Sequence, residues 1–360
     1  MEIGIVGLPY SGKSTIFSTL LTHKSHEQTG GKQTAERGVV KVPDTRLDKL
    51  TAMFNPKKQV HAIIEYVKVA GLEEESEQTT GLSSKFLTNL KNVDALMIII
   101  RNFKNEFYPH PFNRIDPSAD IEYINGEFLI SDLMVVEKRV EKLEKLVQKT
   151  QNEQEKRELQ LMKRLKEQLD QEKPLRELDF SEHELLILRG YQFITLKPAL
   201  YVINISEDQI PKAAEIEKSL EKFRTPFCSI VTLSAEIEKE ISELSEEDRK
   251  AFMDELGIQE PALDKLIKSS YDLMGLISFF TVGEDECRSW TIRRGTSAQK
   301  AAGVIHSDLE KGFIRAETVH YDHLMEWGSM AACKEKGLLR LEGKEYPVKD
   351  GDILNIRFNV

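Results

Sequence analysis

Residues 7–15 read GLPYSGKST and directly follow an apolar run, Ile3 to Val6, which predicts a strand. This spacing is that of a phosphate-binding loop between a strand and a helix. Glycine lets successive backbone amides turn toward phosphates, Lys13 is predicted to reach the terminal phosphates as the catalytic cation, and the Ser14 hydroxyl to hold Mg²⁺. The helix that begins near Lys13 adds the positive end of its dipole. The predicted phosphate contacts are Leu8, Pro9, Tyr10, Ser11, Gly12, Lys13, Ser14 and Thr15.

The bulk properties limit the classes of function. The chain has 360 residues, enough for two or three domains, and a formal net charge of -10, so any RNA contact must be local. Its three cysteines are far apart in the sequence, which suits a reducing compartment and gives no zinc signature. There is no charged and apolar leader and no apolar run that could cross a bilayer, so we expect a cytoplasmic protein with no membrane partner.

Apolar, β-rich runs recur after the loop, with helical patterns between several of them. They lie at residues 38–42, 61–69, 95–100, 199–203 and 228–233. This alternation predicts an α/β fold with a mostly parallel sheet covered by helices, as in P-loop NTPases.

The long gap before residue 199 has a different pattern. Two stretches carry apolar residues at helical spacing among dense mixed charge: Val136, Val140, Leu143 and Val147, then Leu159, Met162, Leu165 and Leu169. They predict an antiparallel helical hairpin that turns near residues 151–153. Pro174 is expected to close the second helix, and Ser181 with Glu184 is expected to form a capping box.

Beyond Leu276 the pattern changes to short strands, with a helix of small residues around 298–302. We therefore expect a P-loop NTPase domain over residues 1–275, which contains an inserted hairpin over residues 131–198, and a terminal β-rich domain over residues 276–360.

A P-loop enzyme needs a carboxylate after a neighbouring strand to position magnesium, and then a glycine that senses the terminal phosphate. Here the matching segment reads YVKVAGL at residues 66–72, so Lys68 stands where the acid is expected and Gly71 fits the sensor. Leu72 stands where Ras-like enzymes carry a water-orienting glutamine, and an apolar side chain cannot orient water. Thr34 is the expected second residue for Mg²⁺.

Base recognition is expected from the loops after the last two strands. Asn204, Ile205 and Glu207 stand in the place of the asparagine-lysine-x-aspartate element that reads guanine, and Ser234 with Ala235 supplies the amide beneath the base. Glutamate in place of aspartate, with no lysine beside it, weakens guanine recognition.

Cations and an aromatic residue are interleaved in the terminal domain: Arg288, Trp290, Arg293, Arg294, Lys311 and Arg315. This pattern fits contact with RNA backbone and bases. It fits equally an ordinary sheet surface with Trp290 in the core.

With these motifs, the chain closely resembles the YchF family of Obg-like P-loop ATPases over nearly its whole length. The resemblance rests on residues 7–15, 42–50, 69–72, 120–125 and 204–207, and on denser matches at 290–293, 301–306, 310–317 and 341–346. Three positions, in two segments, differ from the family pattern. Tyr10 and Ser11 replace asparagine and valine, and Lys68 replaces the magnesium-supporting aspartate.

The resemblance implies a nucleotide domain, an inserted helical hairpin and a C-terminal TGS domain of β-grasp type. It implies binding of ATP in preference to GTP, slow hydrolysis without a glutamine, and association with the ribosome or a ribosomal subunit. Two functions fit the sequence. One is a slow, ribosome-associated ATPase switch, and the other is a nucleotide-responsive scaffold without turnover, because Lys68 replaces the acid.

Overall fold

The computed structural model describes residues 1–24, 35–69 and 84–359. The strands are β1 Glu2–Gly7, β2 Ala35–Lys41, β3 Lys58–Val60, β4 Ile63–Val69, β5 Ala95–Asn102, β6 Ala199–Ile205, β7 Cys228–Leu233, β8 Leu276–Thr281, β9 Glu286–Arg293, β10 Phe313–His320, β11 Arg340–Glu342 and β12 Asp352–Phe358. The α-helices are α1 Lys13–Lys24, α2 Thr45–Phe54, α3 Ser84–Lys91, α4 Pro117–Thr150, α5 Glu153–Asp170, α6 Glu182–Leu188, α7 Ala213–Ser219, α8 Ala235–Glu243, α9 Glu246–Glu255, α10 Ala262–Leu273, α11 Ala298–Ile305, α12 Ser307–Lys311, α13 Tyr321–Trp327 and α14 Met330–Glu335. Short 3-10 helices lie at Leu175–Glu177, Glu207–Lys212 and Glu221–Phe223.

The first sheet has the strand order β2-β4-β1-β5-β6-β7. β1 pairs in parallel with β4 and β5, and the parallel pairing continues through β6 to β7. β5 and β6 are buried along almost their whole length, as expected for apolar strands covered on both faces. The predicted α/β P-loop fold is confirmed. Because parallel strands end at the same edge, the loops after β1, β6 and β7 are brought together there.

The contacts divide the chain into two compact units. One contains residues 1–39 and 65–265, and the other contains residues 40–64 and 266–360. Residues 40–64 join the second unit because β3 pairs with β9, and because Leu47 and Leu50 on α2 pack among its buried side chains. The expected division at residue 275 left this segment in the NTPase domain. Its packing partners lie more than 200 residues away in sequence, so no local pattern could assign it.

The inserted hairpin turns where the sequence predicts. α4 ends at Thr150, Gln151 takes a left-handed conformation with φ of 52°, and Asn152 caps α5 by accepting from the Gln154 amide at 2.8 Å. The capping box of Ser181 and Glu184 is also present. α4 begins at Pro117, well before the expected start of the insertion at residue 131, so its first turns lie against the nucleotide domain.

One buried acid anchors this hairpin. Asp132 on α4 is 1% exposed, and its carboxylate accepts from the Ile194 amide at 3.1 Å and from the Thr195 amide and hydroxyl at 2.7 and 2.8 Å. Charge-assisted bonds to three donors compensate a carboxylate removed from water. The bonds fix α4 to the segment that leads into β6.

The second unit is built on a sheet of order β11-β10-β12-β8-β9-β3. The predicted helix of small residues is α11, whose Ala298, Ala301 and Ala302 are fully buried in the core beside Phe279. The strands β10 and β11 have no counterpart in the sequence expectations, because their charged and apolar residues do not form a continuous run. Within the described ranges, no helix is long and apolar enough to cross a membrane.

We predict that Asp132→Ala lowers the free energy of unfolding by about 3 kcal/mol, since it leaves buried donors without an acceptor. Urea denaturation followed by circular dichroism measures the change. The matched control is Glu137→Ala on the same helix, where the half-exposed carboxylate forms an ion pair with Lys166 and its loss costs less than about 0.5 kcal/mol. Equal losses for the two variants would contradict the anchoring role.

Candidate nucleotide-binding site

The phosphate loop connects the carboxyl end of β1 to the first residue of α1, Lys13. Gly12 has a φ of +96°, and a Cβ added there would lie 2.2 Å from the Asn204 side-chain nitrogen. Backbone conformation and lack of space both require glycine at this position. Leu8 and Ser11 are buried, Pro9 and Thr15 are half-buried, and the Ser14 side chain is exposed at the start of α1.

Lys13 lies within the loop and not in solvent. It is 6% exposed, and its Nζ donates to the carbonyl oxygens of Gly7 at 3.0 Å and Leu8 at 2.8 Å. The loop therefore holds a cation beside the amides that begin α1, where positive charge from the helix end is also concentrated. This arrangement favours a negatively charged ligand at the loop.

Tyr10 has an unusual backbone conformation and an exposed side chain in the phosphate loop. Its φ is +58°, a left-handed conformation that costs a residue with a Cβ about 1–2 kcal/mol. The side chain is 54% exposed, and its ring lies 5.2 Å from the ring of Tyr108, which follows β5. No sequence pattern indicates this contact, because the two tyrosines are far apart along the chain.

Asn204 at the end of β6 connects the phosphate loop to the predicted base loop. Its buried carboxamide donates from Nδ2 to the Ser11 carbonyl at 3.0 Å and accepts at Oδ1 from the Ala235 amide at 3.0 Å. Both ends of the carboxamide are thus bonded to protein. Asn204 holds the two loops at a fixed separation and is a positioning residue.

The other predicted base-loop residues lie at the same edge. Ile205 is buried in the core of the sheet, and Glu207 is an exposed residue at the start of a 3-10 helix that Ser206 caps. Ser234 is buried and caps α8 by accepting from the Ile237 amide at 3.5 Å. Of this group, Glu207 is exposed, and Asn204, Ile205, Ser234 and Ala235 are buried.

Lys68 on β4 forms an ion pair at the position where the magnesium-supporting acid was expected. Its Nζ lies 3.2 and 3.3 Å from the two carboxylate oxygens of Glu36 on β2. Mg²⁺ requires oxygen ligands, and a nearby ammonium opposes its charge. The Ser14 hydroxyl fits a magnesium site and Lys68 does not, so the described residues do not form a complete Mg²⁺ site. Thr34, Gly71 and Leu72 lie outside the described residues.

An ionic cluster around the buried Asp120 was not found from the sequence. His110 Nε2 lies 2.8 Å from Asp120 Oδ2, and Arg114 Nη1 lies 3.0 Å from Asp120 Oδ1. Burial raises the pKa of the Asp120 carboxyl, while the contacts with His110 and Arg114 oppose that shift. The cluster fixes the segment after β5 to the first turn of α4. The short separation of His110 and Asp120 along the chain is the sequence feature that could have indicated this cluster.

In the second unit, Trp290 is partly packed in the sheet, and its contact with RNA stays a prediction. Its indole stacks on Phe279 with ring centroids 6.4 Å apart, and its Nε1 donates to Thr281 at 2.9 Å. The Arg288 guanidinium lies 4.0 Å from the ring centroid. Trp290 is half-buried, so one part of the ring packs in the sheet and the rest carries a surface cation.

Comparisons with known proteins place this site in a family. Residues 2–164 match the family described as 50S ribosome-binding GTPase, and residues 276–359 match the C-terminal YchF GTPase family, described as a protein of unknown function. The chain is 42% identical over 365 residues to the ribosome-binding ATPase YchF of Bacillus subtilis, with all of both chains covered. It belongs to the YchF family.

Other YchF proteins are similar to this chain over nearly its whole length. The ribosome-binding ATPase YchF of Haemophilus ducreyi is 38% identical over 361 residues, covering 100% of this chain and 99% of the relative. The solved structure of the Schizosaccharomyces pombe YchF GTPase is 32% identical, with a TM-score of 0.87 over 99% of this chain and 97% of that one. The resemblance inferred from the sequence motifs is confirmed.

We predict that Lys13→Ala weakens ATP binding by about ten-fold or more, roughly 1.4 kcal/mol, and leaves adenosine binding little changed. The reason is that backbone amides alone do not neutralise a triphosphate. Calorimetric titration with both ligands measures the difference. Lys239→Ala removes the same charge from the exposed face of α8 and serves as the control. If Lys13→Ala weakens both ligands equally, the phosphates bind elsewhere.

Proposed function

We propose that this YchF-family chain is a nucleotide-dependent switch that binds ATP, or GTP more weakly, hydrolyses it slowly and associates with the ribosome. The observation that carries the proposal is the position of Lys13 inside a loop that Asn204 ties to the base loop. Phosphate and base subsites are thereby held in one rigid arrangement. Such preorganisation reduces the ordering cost of binding an extended ligand.

The preference for adenine follows from the base loop. Guanine recognition by P-loop GTPases depends on a carboxylate that accepts two hydrogen bonds from the base, and on a lysine two residues before that carboxylate. Here the corresponding apolar residue, Ile205, is buried in the core, and the acid is the longer Glu207 on an exposed 3-10 helix. This loop therefore offers guanine a displaced acceptor and no lysine.

The ribosome as partner comes from the relatives, which are named ribosome-binding ATPases. RNA contact through the C-terminal domain is the finer part of the proposal, supported by the Arg288 and Trp290 surface. Cosedimentation of the full chain with ribosomal subunits, with ATP and with ADP, tests the partner. A protein that stays in the supernatant with either nucleotide would contradict it.

One observation favours a second candidate, a scaffold that binds nucleotide without turnover. The Lys68–Glu36 ion pair puts a cation where catalysis by this fold needs a carboxylate. Magnesium-dependent turnover of the purified protein separates the two candidates. Measurable release of phosphate that requires Lys13 supports the switch, and binding without release supports the scaffold.

We predict that Lys68→Asp raises magnesium-dependent hydrolysis by about ten-fold, or roughly 1.4 kcal/mol of barrier, because it exchanges a repelling cation for an oxygen donor. The matched control is Glu36→Gln, which breaks the same ion pair without adding an acid near the loop. If turnover is substantial and neither variant changes it, Lys68 is no catalytic defect and the scaffold candidate fails.

We predict that ATP binds more tightly than GTP and that Glu207→Asp narrows the difference, since the shorter carboxylate restores the guanine acceptor. Ile205 is left unchanged because lysine there would bury a charge in the core. Competition titrations of the two nucleotides against a fluorescent analogue measure the ratio. Tighter GTP binding in the unmodified protein by about ten-fold would refute the adenine assignment.

A further inference from the structure

A cavity of about 580 Å³ lies beneath the helical hairpin, away from the phosphate loop. The first half of α4, the end of α5, the 3-10 helix Leu175–Glu177 and the strands β6 and β7 contribute to its walls. This volume is within the range of small-molecule sites, which are mostly apolar with a few placed polar groups. The cavity belongs entirely to the first unit.

Arg176 supplies the polar group. It is 5% exposed, and within the described residues its guanidinium donates only from Nη1, to the carbonyl oxygens of Lys197 at 2.8 Å and Thr195 at 3.4 Å. Its Nε is buried and has no acceptor among those residues. Across the described part of the chain, no carboxylate lies within 4.0 Å of this guanidinium. A buried cation without an anion is unfavourable, so this position favours an anionic ligand.

Part of the cavity wall is apolar. Phe128, Leu129 and Leu133 contribute to it from α4, and Phe223 also lines the cavity. These side chains offer contact to a ligand body that is removed from water. A ligand that satisfies both the walls and the guanidinium has an apolar body and one anionic group.

Gly126 provides an independent indication that the cavity is kept open. It lies inside α4, where glycine is less favourable than alanine, and it lines the cavity. A Cβ added at Gly126 would meet nothing within 4 Å. Neither helix packing nor a positive φ requires glycine here. The small residue instead leaves room at the cavity wall.

The cavity rim disfavours highly charged anions. Glu122 is neutralised by Lys222 at 2.7 Å and Asp170 by Lys166 at 3.0 Å, but Glu172 and Glu177 have no cation within ion-pair distance in the described structure. Two unpaired acids repel a nucleoside triphosphate more strongly than a monoanion. The cavity therefore favours a monoanion, whereas the phosphate loop favours a nucleoside triphosphate.

We propose that this cavity is a binding site for a small apolar monocarboxylate, held by the fork of the Arg176 guanidinium with its body against the α4 side chains. The planar fork of arginine matches the two oxygens of a carboxylate. A phosphate monoester shares the anion chemistry but carries more charge past the acidic rim. The proposal is independent of nucleotide binding and of turnover.

The test uses the full chain and three probes with similar phenyl bodies: 4-phenylbutyrate, phenyl phosphate and 4-phenylbutanol. Saturation-transfer NMR and calorimetry measure affinity for each. We expect saturable binding of phenylbutyrate, and at least about ten-fold weaker binding of the other two probes. Tighter binding of the phosphate would overturn the carboxylate assignment. Equal binding of the alcohol, or no saturation by phenylbutyrate at about 10 mM, would overturn the site.

Variants at Gly126 and at Arg176 locate the binding. Gly126→Leu fills the open wall and is expected to abolish phenylbutyrate binding, whereas the matched control Gly126→Ala retains it within about three-fold. Arg176→Lys keeps the charge and loses the fork, so it should weaken phenylbutyrate by about ten-fold. Unchanged thermal unfolding and ATP binding in Gly126→Leu show that the fold is intact. Equal phenylbutyrate affinity in the two Gly126 variants would refute the proposal.

Discussion

The nucleotide site of this protein depends on one buried carboxamide. Asn204 donates to the phosphate loop and accepts from the amide that begins α8, so two loops that are far apart in sequence share a single rigid group. The same side chain leaves no room for a Cβ at Gly12. The geometry of the phosphate loop, the identity of its second glycine and the position of the base loop are therefore one constraint.

The buried charges of the first unit differ in whether a partner of suitable chemistry lies beside them. Asp132 is surrounded by three donors that satisfy its carboxylate, and Asp120 is paired with His110 and Arg114. These acids fix the hairpin and the segment after β5, and they have the partners that a structural charge needs. Arg176 differs because, among the described residues, its guanidinium donates only to two backbone carbonyls, both from Nη1. That contrast within one unit separates a structural charge from a charge that fits a ligand.

Much of the architecture was predictable because its signals are local. The phosphate loop, the strands β5 to β7 and the hairpin turn at residues 151–153 follow from glycine spacing, continuous apolar runs and helical periodicity. The rest depends on pairs of residues that are distant in sequence. The contact of Tyr10 with Tyr108, the bonds of Asn204 and the pairing of Lys68 with Glu36 are set by strand order and loop approach. Composition and spacing carry no information about them.

The assignment of residues 40–64 to the second unit has a consequence for how the chain is made. During synthesis α2 leaves the ribosome long before its partners, Phe280 and Val319, exist. Leu47 and Leu50 therefore cannot pack against these partners until most of the chain is translated. Apolar side chains that are exposed before their partners are made promote aggregation. Folding that depends on non-local contacts is also slow. The first unit is likewise interrupted by this segment, so neither unit of the protein is a continuous stretch that can mature separately from the other.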